Sequence, residues 1–293
     1  MKQPLPFSVL VHDGPMARVY LEVLRREGFT PSHLCFMHDT KWAPGPFLSR
    51  LLPLSVRQNL TVWRQGSAMN YWPRYQLRQA GFRETIQGLS SLYPEPRALF
   101  ESAFAEWNSE TLCIPHSAVM YSSFQDPALL SAIERLPTEY VLFTGGGVIP
   151  AHLLKVTSKK FLHVHPGILP HVRGEDGILW SMLTRFRLGA SLVLLDEGID
   201  TGKIIFKKEF EPLELVRPPG SEEDLYRTLF AFYDPLLRAV TLAEYLKQNS
   251  GLVSLPLETQ SVDVGETFHS MHPRLKSRAL SLLFSDGTLS EVS

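Results

Sequence analysis

The feature that most restricts the fold is an alternation of short apolar runs with helix-spaced apolar patterns. Residues 7–11 (FSVLV) form a β-rich apolar run. His12, Asp13, Gly14 and Pro15 follow as a turn, in which Asp13 can cap a helix and Pro15 fits its first turn. Met16, Val19, Tyr20, Val23 and Leu24 then recur at helical spacing, Gly28 ends the element, and residues 31–36 open a second strand. The rhythm resumes with strands at 111–114, 140–143, 161–164, 190–195 and 203–210, and with helices at 126–136, from 150, and at 178–186. Strands separated by helices imply an α/β fold, with a mostly parallel sheet and helices on its faces.

Two stretches depart from that rhythm. Residues 40–110 carry Trp42, Trp63, Trp72 and Trp107, with prolines at 44, 46, 53, 73, 94 and 96. They are expected to be an insertion of short helices and loops, either shaping a pocket or partner surface or forming a local apolar core. After residue 211 the pattern changes again. Residues 218–221 (PPGS) mark a linker and helix start, 222–247 has helical spacing, and the signals weaken beyond Gly251. The expected division is 1–210 as the catalytic unit and 211–293 as a smaller helical and irregular extension.

Composition narrows the partners. The chain has 293 residues and a net charge of −1, so a strongly basic nucleic-acid footprint is absent at whole-chain level. No apolar run approaches the roughly 20 residues that cross a bilayer, and the N-terminal stretch is too short and polar for a signal peptide. Cys35 and Cys113 form no CxxC motif, which suits a reduced, cytoplasmic protein.

Three constellations carry chemistry. Gly145, Gly146 and Gly147 fit neither dinucleotide nor P-loop spacing, and read as a tight turn or a close backbone approach to a flat ligand. In residues 161–170 (FLHVHPGILP), His163 and His165 are two apart at the end of an apolar strand. Residues two apart on a strand share a face, and Pro166 biases His165 towards extended backbone. A strand's C-terminal end in an open α/β sheet is the usual ligand crevice. The pair also suits a metal site, completed by His171 or Asp200, as in a metal-dependent hydrolase. The loop 196–202 (DEGIDTG) presents Asp200 between glycines, either as a hairpin connection or as a carboxylate aimed at the same crevice.

Taken together, HVHPGILP, His171-Val172-Arg173-Gly174, the helix with Trp180, Gly189-Ala190-Ser191 and DEGIDTGKII resemble the folate-dependent formyltransferases. Residues 141–146 with Pro150 resemble the family's preceding segment. The likeness is good over about 138–210, loose over 1–36, slight over 40–110 and weak after 250. It implies a Rossmann-like formyl-transfer domain, 10-formyltetrahydrofolate as formyl donor, and an amine acceptor. The family's catalytic Asn, His and Asp fall on His163, His165 and Asp200, so this chain has His where the family has Asn. The resemblance places the donor against Phe143, Gly145, Gly146, Val148, Glu197, Gly198 and Ile199, and the acceptor near Gly167, Arg173, Gly174 and Glu175.

The chemistry suits such a set. An attacking amine must lose a proton, the folate nitrogen must gain one, and the formyl oxygen accumulates charge that needs a fixed donor. His165 is assigned the proton handling and part of the oxyanion stabilisation, with Asp200 orienting it. His163 either replaces Asn as donor, turns away, or leaves a slow or non-catalytic folate-binding protein. Residues 211–293 carry 12 Asp/Glu and 7 Lys/Arg, a poor surface for a polyanion. The expected acceptor is therefore a small-molecule amine, such as an amino sugar on a nucleotide carrier or an amino-acid-derived metabolite, with no nucleic acid or membrane partner. Glu175 and Asp176 beside the motif could attract a cationic amine.

Overall fold

A computed structural model describes residues 4–45, 47, 51–106, 113–145, 149–213, 215–249, 256–261 and 263–285. In chain order, β1 (Leu5–Val11), α1 (Pro15–Arg26) and β2 (Pro31–Asp39) form the first βαβ unit. The insertion contributes α2 (Leu54–Leu77), α3 (Arg83–Gln87) and α4 (Pro96–Ala103). Then come β3 (His116–Tyr121), α5 (Pro127–Glu134), β4 (Tyr140–Phe143), α6 (Ala151–Val156), β5 (Lys160–His165) and β6 (Val172–Gly174). The chain continues through α7 (Gly177–Arg185), β7 (Leu188–Leu194), β8 (Ile204–Phe210) and β9 (Leu215–Val216). Last are α8 (Glu222–Thr228), α9 (Asp234–Gln248), β10 (Glu266–Phe268), α10 (Pro273–Leu283) and β11 (Phe284–Ser285).

Seven strands make one sheet in the order β3-β2-β1-β4-β5-β7-β8. Strands β3 to β5 pair in parallel, while β7 runs antiparallel to both β5 and β8. The order reverses between β1 and β4, and the carboxyl ends there form the crevice where such sheets take ligands. Thr144 closes this switch point by donating its hydroxyl to the Leu10 carbonyl at 2.7 Å.

Strand periodicity sorts side chains to two cores. Phe7, Val9 and Val11 of β1 face one core with α1 and α9, while Leu10 faces the other with α5 and α6. On β5, Leu162 and Val164 join the first core and Phe161 the second. His163 and His165 share the parity of Phe161, so they lie on that second face at the strand's carboxyl end. The shared face expected for the histidines is thus observed.

The insertion differs from expectation. It contains a 24-residue helix, α2, as well as short pieces. The buried residues of α2 are Thr61, Gln65, Asn70, Pro73, Gln76 and Leu77. A helix buried mainly through polar groups has no apolar stripe, so apolar spacing does not reveal it. Gln65 acts as a backbone surrogate at the end of β2: its carbonyl accepts from Asp39 N–H at 2.8 Å and its amide donates to the Met37 carbonyl at 2.9 Å. The strand expected at 111–114 appears at 116–121 instead, with residues 111 and 112 outside those described. Its first three residues are exposed, which weakens the apolar signal. Trp107 also lies outside the described residues.

The core is continuous across residue 211. Leu225, Leu229, Phe232, Leu236, Leu242 and Leu280 belong to the same cluster as Val9 and Val164. Phe232 sits at the centre of an aromatic group, with ring centroids 4.9 Å from Phe82, 5.0 Å from Phe100 and 5.7 Å from Phe104. One helical run covers 222–248, with π-type spacing over Leu229–Tyr233. Beyond it, β10 pairs in parallel with β6, directly beside the Arg173-Gly174 motif. No described helix is long and apolar enough to cross a membrane.

Candidate active site

His165 is 2% exposed, and both of its ring nitrogens face protein groups. Nε2–H donates to the Val172 carbonyl at 2.8 Å, and Nδ1 lies 3.2 Å from Asp200 Oδ2. A carbonyl only accepts, so Nε2 carries a proton. The other ring nitrogen faces the Asp200 carboxylate, so each nitrogen has a protein acceptor beside it. The expected role of exchanging a proton with a ligand requires a free ring nitrogen, and this geometry leaves none.

Asp200 reaches His165 from the loop after β7. Its φ is +53°, a left-handed backbone seldom adopted by non-glycine residues and enriched at functional sites. Oδ2 also accepts from the Gly174 N–H at 2.9 Å. Burial works to raise its carboxyl, but His165, then His163, and the Gly174 N–H outweigh burial and hold it well below the usual carboxylate range. Gly174 is required by space as well: its φ is +89°, and a Cβ there would lie 2.0 Å from the Phe268 carbonyl oxygen.

His163 is half-buried and differently bonded. Its Nδ1–H donates to the Phe143 carbonyl over a long 3.4 Å, and its ring lies 6.3 Å from the Phe143 ring. Burial pushes its pKa down to about 3, helped by the charges of Arg238 and His165 and opposed by Asp200. The ring is therefore neutral at pH 7, and with Nδ1 protonated its Nε2 bears a lone pair.

The loop between β5 and β6 is clamped by Ser191, a fully buried residue paired with His165 across β5 and β7. Its hydroxyl donates to the Gly167 carbonyl at 2.7 Å and accepts from Leu169 N–H at 3.0 Å. The residues associated with an acceptor are mostly occupied. Arg173 is 5% exposed, and donates to Gln260 Oε1 and to the Ser261 carbonyl, each at 3.1 Å. Glu175 accepts from the Ser270 hydroxyl. Asp176 accepts from the Tyr226 hydroxyl at 2.7 Å and from Met271 N–H at 2.8 Å.

Residues 256–261 and 263–272 thus strap the site from outside the motif region. Gln260 donates to the carbonyls of Asp200 and Gly202, at 2.8 and 2.7 Å, while accepting from Arg173. Trp180 stacks on Phe268 at 4.5 Å and donates to the His269 carbonyl. Sequence reasoning missed Gln260, whose side chain sits in no recognised spacing, and gave Ser191 no role beyond its place in the Gly189-Ala190-Ser191 stretch.

Of the donor-associated positions, Phe143 and Gly145 are buried, while Glu197, Gly198 and Ile199 are exposed beside Asp200. Gly145 packs on Phe143, and a Cβ there would meet that ring at 2.5 Å. Lys155 and Glu197 pair at 2.8 Å, linking α6 to the 196–201 loop. Gly146 and Val148 lie outside the described residues. The metal reading lacks a donor set: among the described residues no three His, Cys, Asp or Glu side chains are grouped to hold an ion. His165, with both nitrogens turned to protein acceptors, directs no lone pair at one.

Comparisons with known proteins agree with the motifs. Residues 99–231 match the formyl transferase family model. A methionyl-tRNA formyltransferase from Syntrophus aciditrophicus is 33% identical over 122 residues, covering 41% of this chain and 38% of that protein. One from Myxococcus xanthus is 30% identical over 123 residues, covering 42% and 38%. The matched segment thus spans under two fifths of those relatives' length. A 4-N formyltransferase from Francisella tularensis overlays with TM-score 0.47 at 10% identity, covering 94% of this chain and 86% of the other. The formyltransferase PseJ from Anoxybacillus kamchatkensis, solved with a formamido sugar nucleotide and tetrahydrofolate, gives TM-score 0.37 at 23% identity, covering 59% and 82%. Residues 99–231, which hold His163, His165 and Asp200, are thus the part of the chain that is similar to formyl transferases.

Proposed function

We propose that this protein transfers a formyl group from 10-formyltetrahydrofolate to the amine of a small molecule. The observation that carries this reading is the joining of His163, His165 and Asp200 at one strand end, inside the segment that matches formyl transferases. The donor supplies the activated formyl carbon. The exposed backbone of Glu197, Gly198 and Ile199, and the turn after Phe143, form the edge against which its flat ring system would lie.

The chain's own residues divide the remaining work. The His165–Asp200 pair is held in one geometry by its contacts to the Val172 carbonyl and the Gly174 N–H, and it orders the strand end without exchanging a proton. His163 is the proton acceptor: its neutral ring offers Nε2 as the amine loses its proton. Its low pKa makes it a weak base, suited to a strongly acidic N–H such as that formed after attack on the formyl carbon. The net charge of −5 over residues 211–293, and the engagement of Arg173, favour a small amine over a polyanion.

Incubating the protein with 10-formyltetrahydrofolate and candidate amines tests the reading, with amino sugar nucleotides, amino-acid-derived amines and methionyl-tRNA as separate arms. Donor consumption with a small amine is expected. Consumption only with methionyl-tRNA overturns the acceptor assignment. Folate binding without turnover favours a second reading, a non-catalytic binding protein, which the sealed ring of His165 supports. Under that reading His163→Asn creates activity, whereas under the first it lowers it.

A further inference from the structure

Arg238 lies beneath the site and outside the segment that matches formyl transferases. It is 9% exposed, and its partner Asp234 is fully buried. The two stand one turn apart on α9, and the guanidinium donates to both carboxylate oxygens, at 2.6 and 2.7 Å. A third N–H, from Nη1, donates to the Val164 carbonyl at 3.0 Å. Val164 is the residue between His163 and His165. α9 packs on the Leu162 and Val164 side of β5, and the histidines lie on the other side.

A buried ion pair is a poor source of net stability, because desolvation offsets most of the attraction. Apolar residues would fill this position as well. What they would not provide is a donor to the strand's backbone, or a fixed charge behind it.

We propose that Arg238, held by Asp234, is a positioning residue for the formyl-transfer site: it anchors β5 at Val164 and turns the positive end of the Asp234–Arg238 pair towards the strand behind the two histidines. The proposal rests on the formyl-transfer reading for its catalytic consequence, but not for its electrostatic one. Three charged or titratable groups act on His163: Asp200 from the loop after β7, His165 from its own strand, and Arg238 from α9. Arg238 opposes a proton on His163 and Asp200 favours one, so the balance depends on the residue beneath the strand. Arg238 also senses Asp200, which places the pair within one electrostatic unit with the site.

The test replaces both charges with neutral amides in the intact chain, Asp234→Asn with Arg238→Gln, so that neither partner is left alone. Nitrogen-15 NMR of the His163 ring across pH is the primary readout, and it needs no turnover. The His163 midpoint is expected to rise by about half a pH unit, because the variant removes a dipole with its positive end towards the strand rather than a net charge. In an active preparation, kcat falls about tenfold, while KM for the formyl donor changes less than about twofold. Arg238→Lys is the second variant. It keeps the charge and loses the planar fork, so His163 stays low while kcat falls several-fold. An unchanged His163 midpoint and unchanged kcat in the folded double variant overturn the proposal. If the double variant does not fold, an Arg238→Lys protein with unaltered kcat overturns it. A His163 shift without formyl transfer to any amine keeps the electrostatic role and rejects the functional reading instead.

Discussion

The corner around His165 and the face of α2 are opposites. At the corner, the ring nitrogens of His165, the Asp200 carboxylate, the Ser191 hydroxyl and the Arg173 guanidinium each have a named protein partner. On α2, Leu54, Trp63 and Tyr71 are 61%, 66% and 69% exposed, and polar clasps hold the helix, among them Gln65 on the Met37 carbonyl, Asn70 on Asp13 and Arg74 on the Phe104 carbonyl. The first region spends its polar groups on holding side chains in one geometry. The second leaves large apolar groups in water and is placed by a few buried amides. Chemistry that needs sub-ångström placement belongs to the first kind of region. The second tolerates substitution except at its clasps.

The contrast can be broken from either end. The largest effect is expected at Asp200: Asp200→Asn or His165→Ala should lower kcat by about 10²–10⁴-fold, as loss of a catalytic charge pair does. Steady-state formyl transfer checks this, and undiminished turnover in both would remove the site assignment. Next is His163→Asn, expected to reduce kcat about tenfold or more by removing the proton acceptor; a higher rate would favour the non-catalytic reading.

Stability changes follow. Gly174→Ala must move the Phe268 carbonyl or abandon the +89° backbone, and should cost about 1–3 kcal/mol in denaturant unfolding. Gln65→Ala leaves the Met37 carbonyl and Asp39 N–H without their side-chain partner, and should cost about 1–3 kcal/mol. Trp63→Ser, on the exposed face, should change stability by less than about 0.5 kcal/mol. A cost similar to that of Gln65→Ala would show that the α2 face is buried by something in solution.

The site also sets a pH dependence. His163 and Asp200 are both depressed in the folded protein, so the unfolded chain binds more protons than the folded one. Stability therefore rises with pH. The His163 contribution is complete above about pH 6.5 and is lost as pH falls towards about 3. The Asp200 contribution is present above about pH 4 and is lost below it. Denaturant midpoints between pH 4 and 8 should slope upward in the parent chain, and less steeply in His163→Asn. Equal slopes would contradict the neutral state of that half-buried ring.

Much of the site was legible because strand geometry is local. Two residues apart means one face, so HVH already placed His163 and His165 together, and the glycines around Asp200 already marked an exposed loop. The bonding of His165 was not legible. Its Nε2 partner is a backbone carbonyl, Val172, which exists at every residue and leaves no mark in a sequence. The roles proposed for the two histidines differ from those expected from sequence for that reason. α2 was missed because its contacts to the sheet are amides rather than an apolar stripe, and Gln260 because its partners lie 58 and 60 residues away.

The sequence by itself determined the alternation of strands and helices, the common face of the histidines and the likeness to formyl transferases, since each depends on neighbours a few residues apart. The tertiary structure decided which protein groups the histidine rings face, that residues 256–261 and 263–272 strap the site, and that Asp234 and Arg238 stand behind β5. Those are properties of distance in space, set when elements 26 to 88 residues apart in the chain are packed together, and no local spacing encodes them.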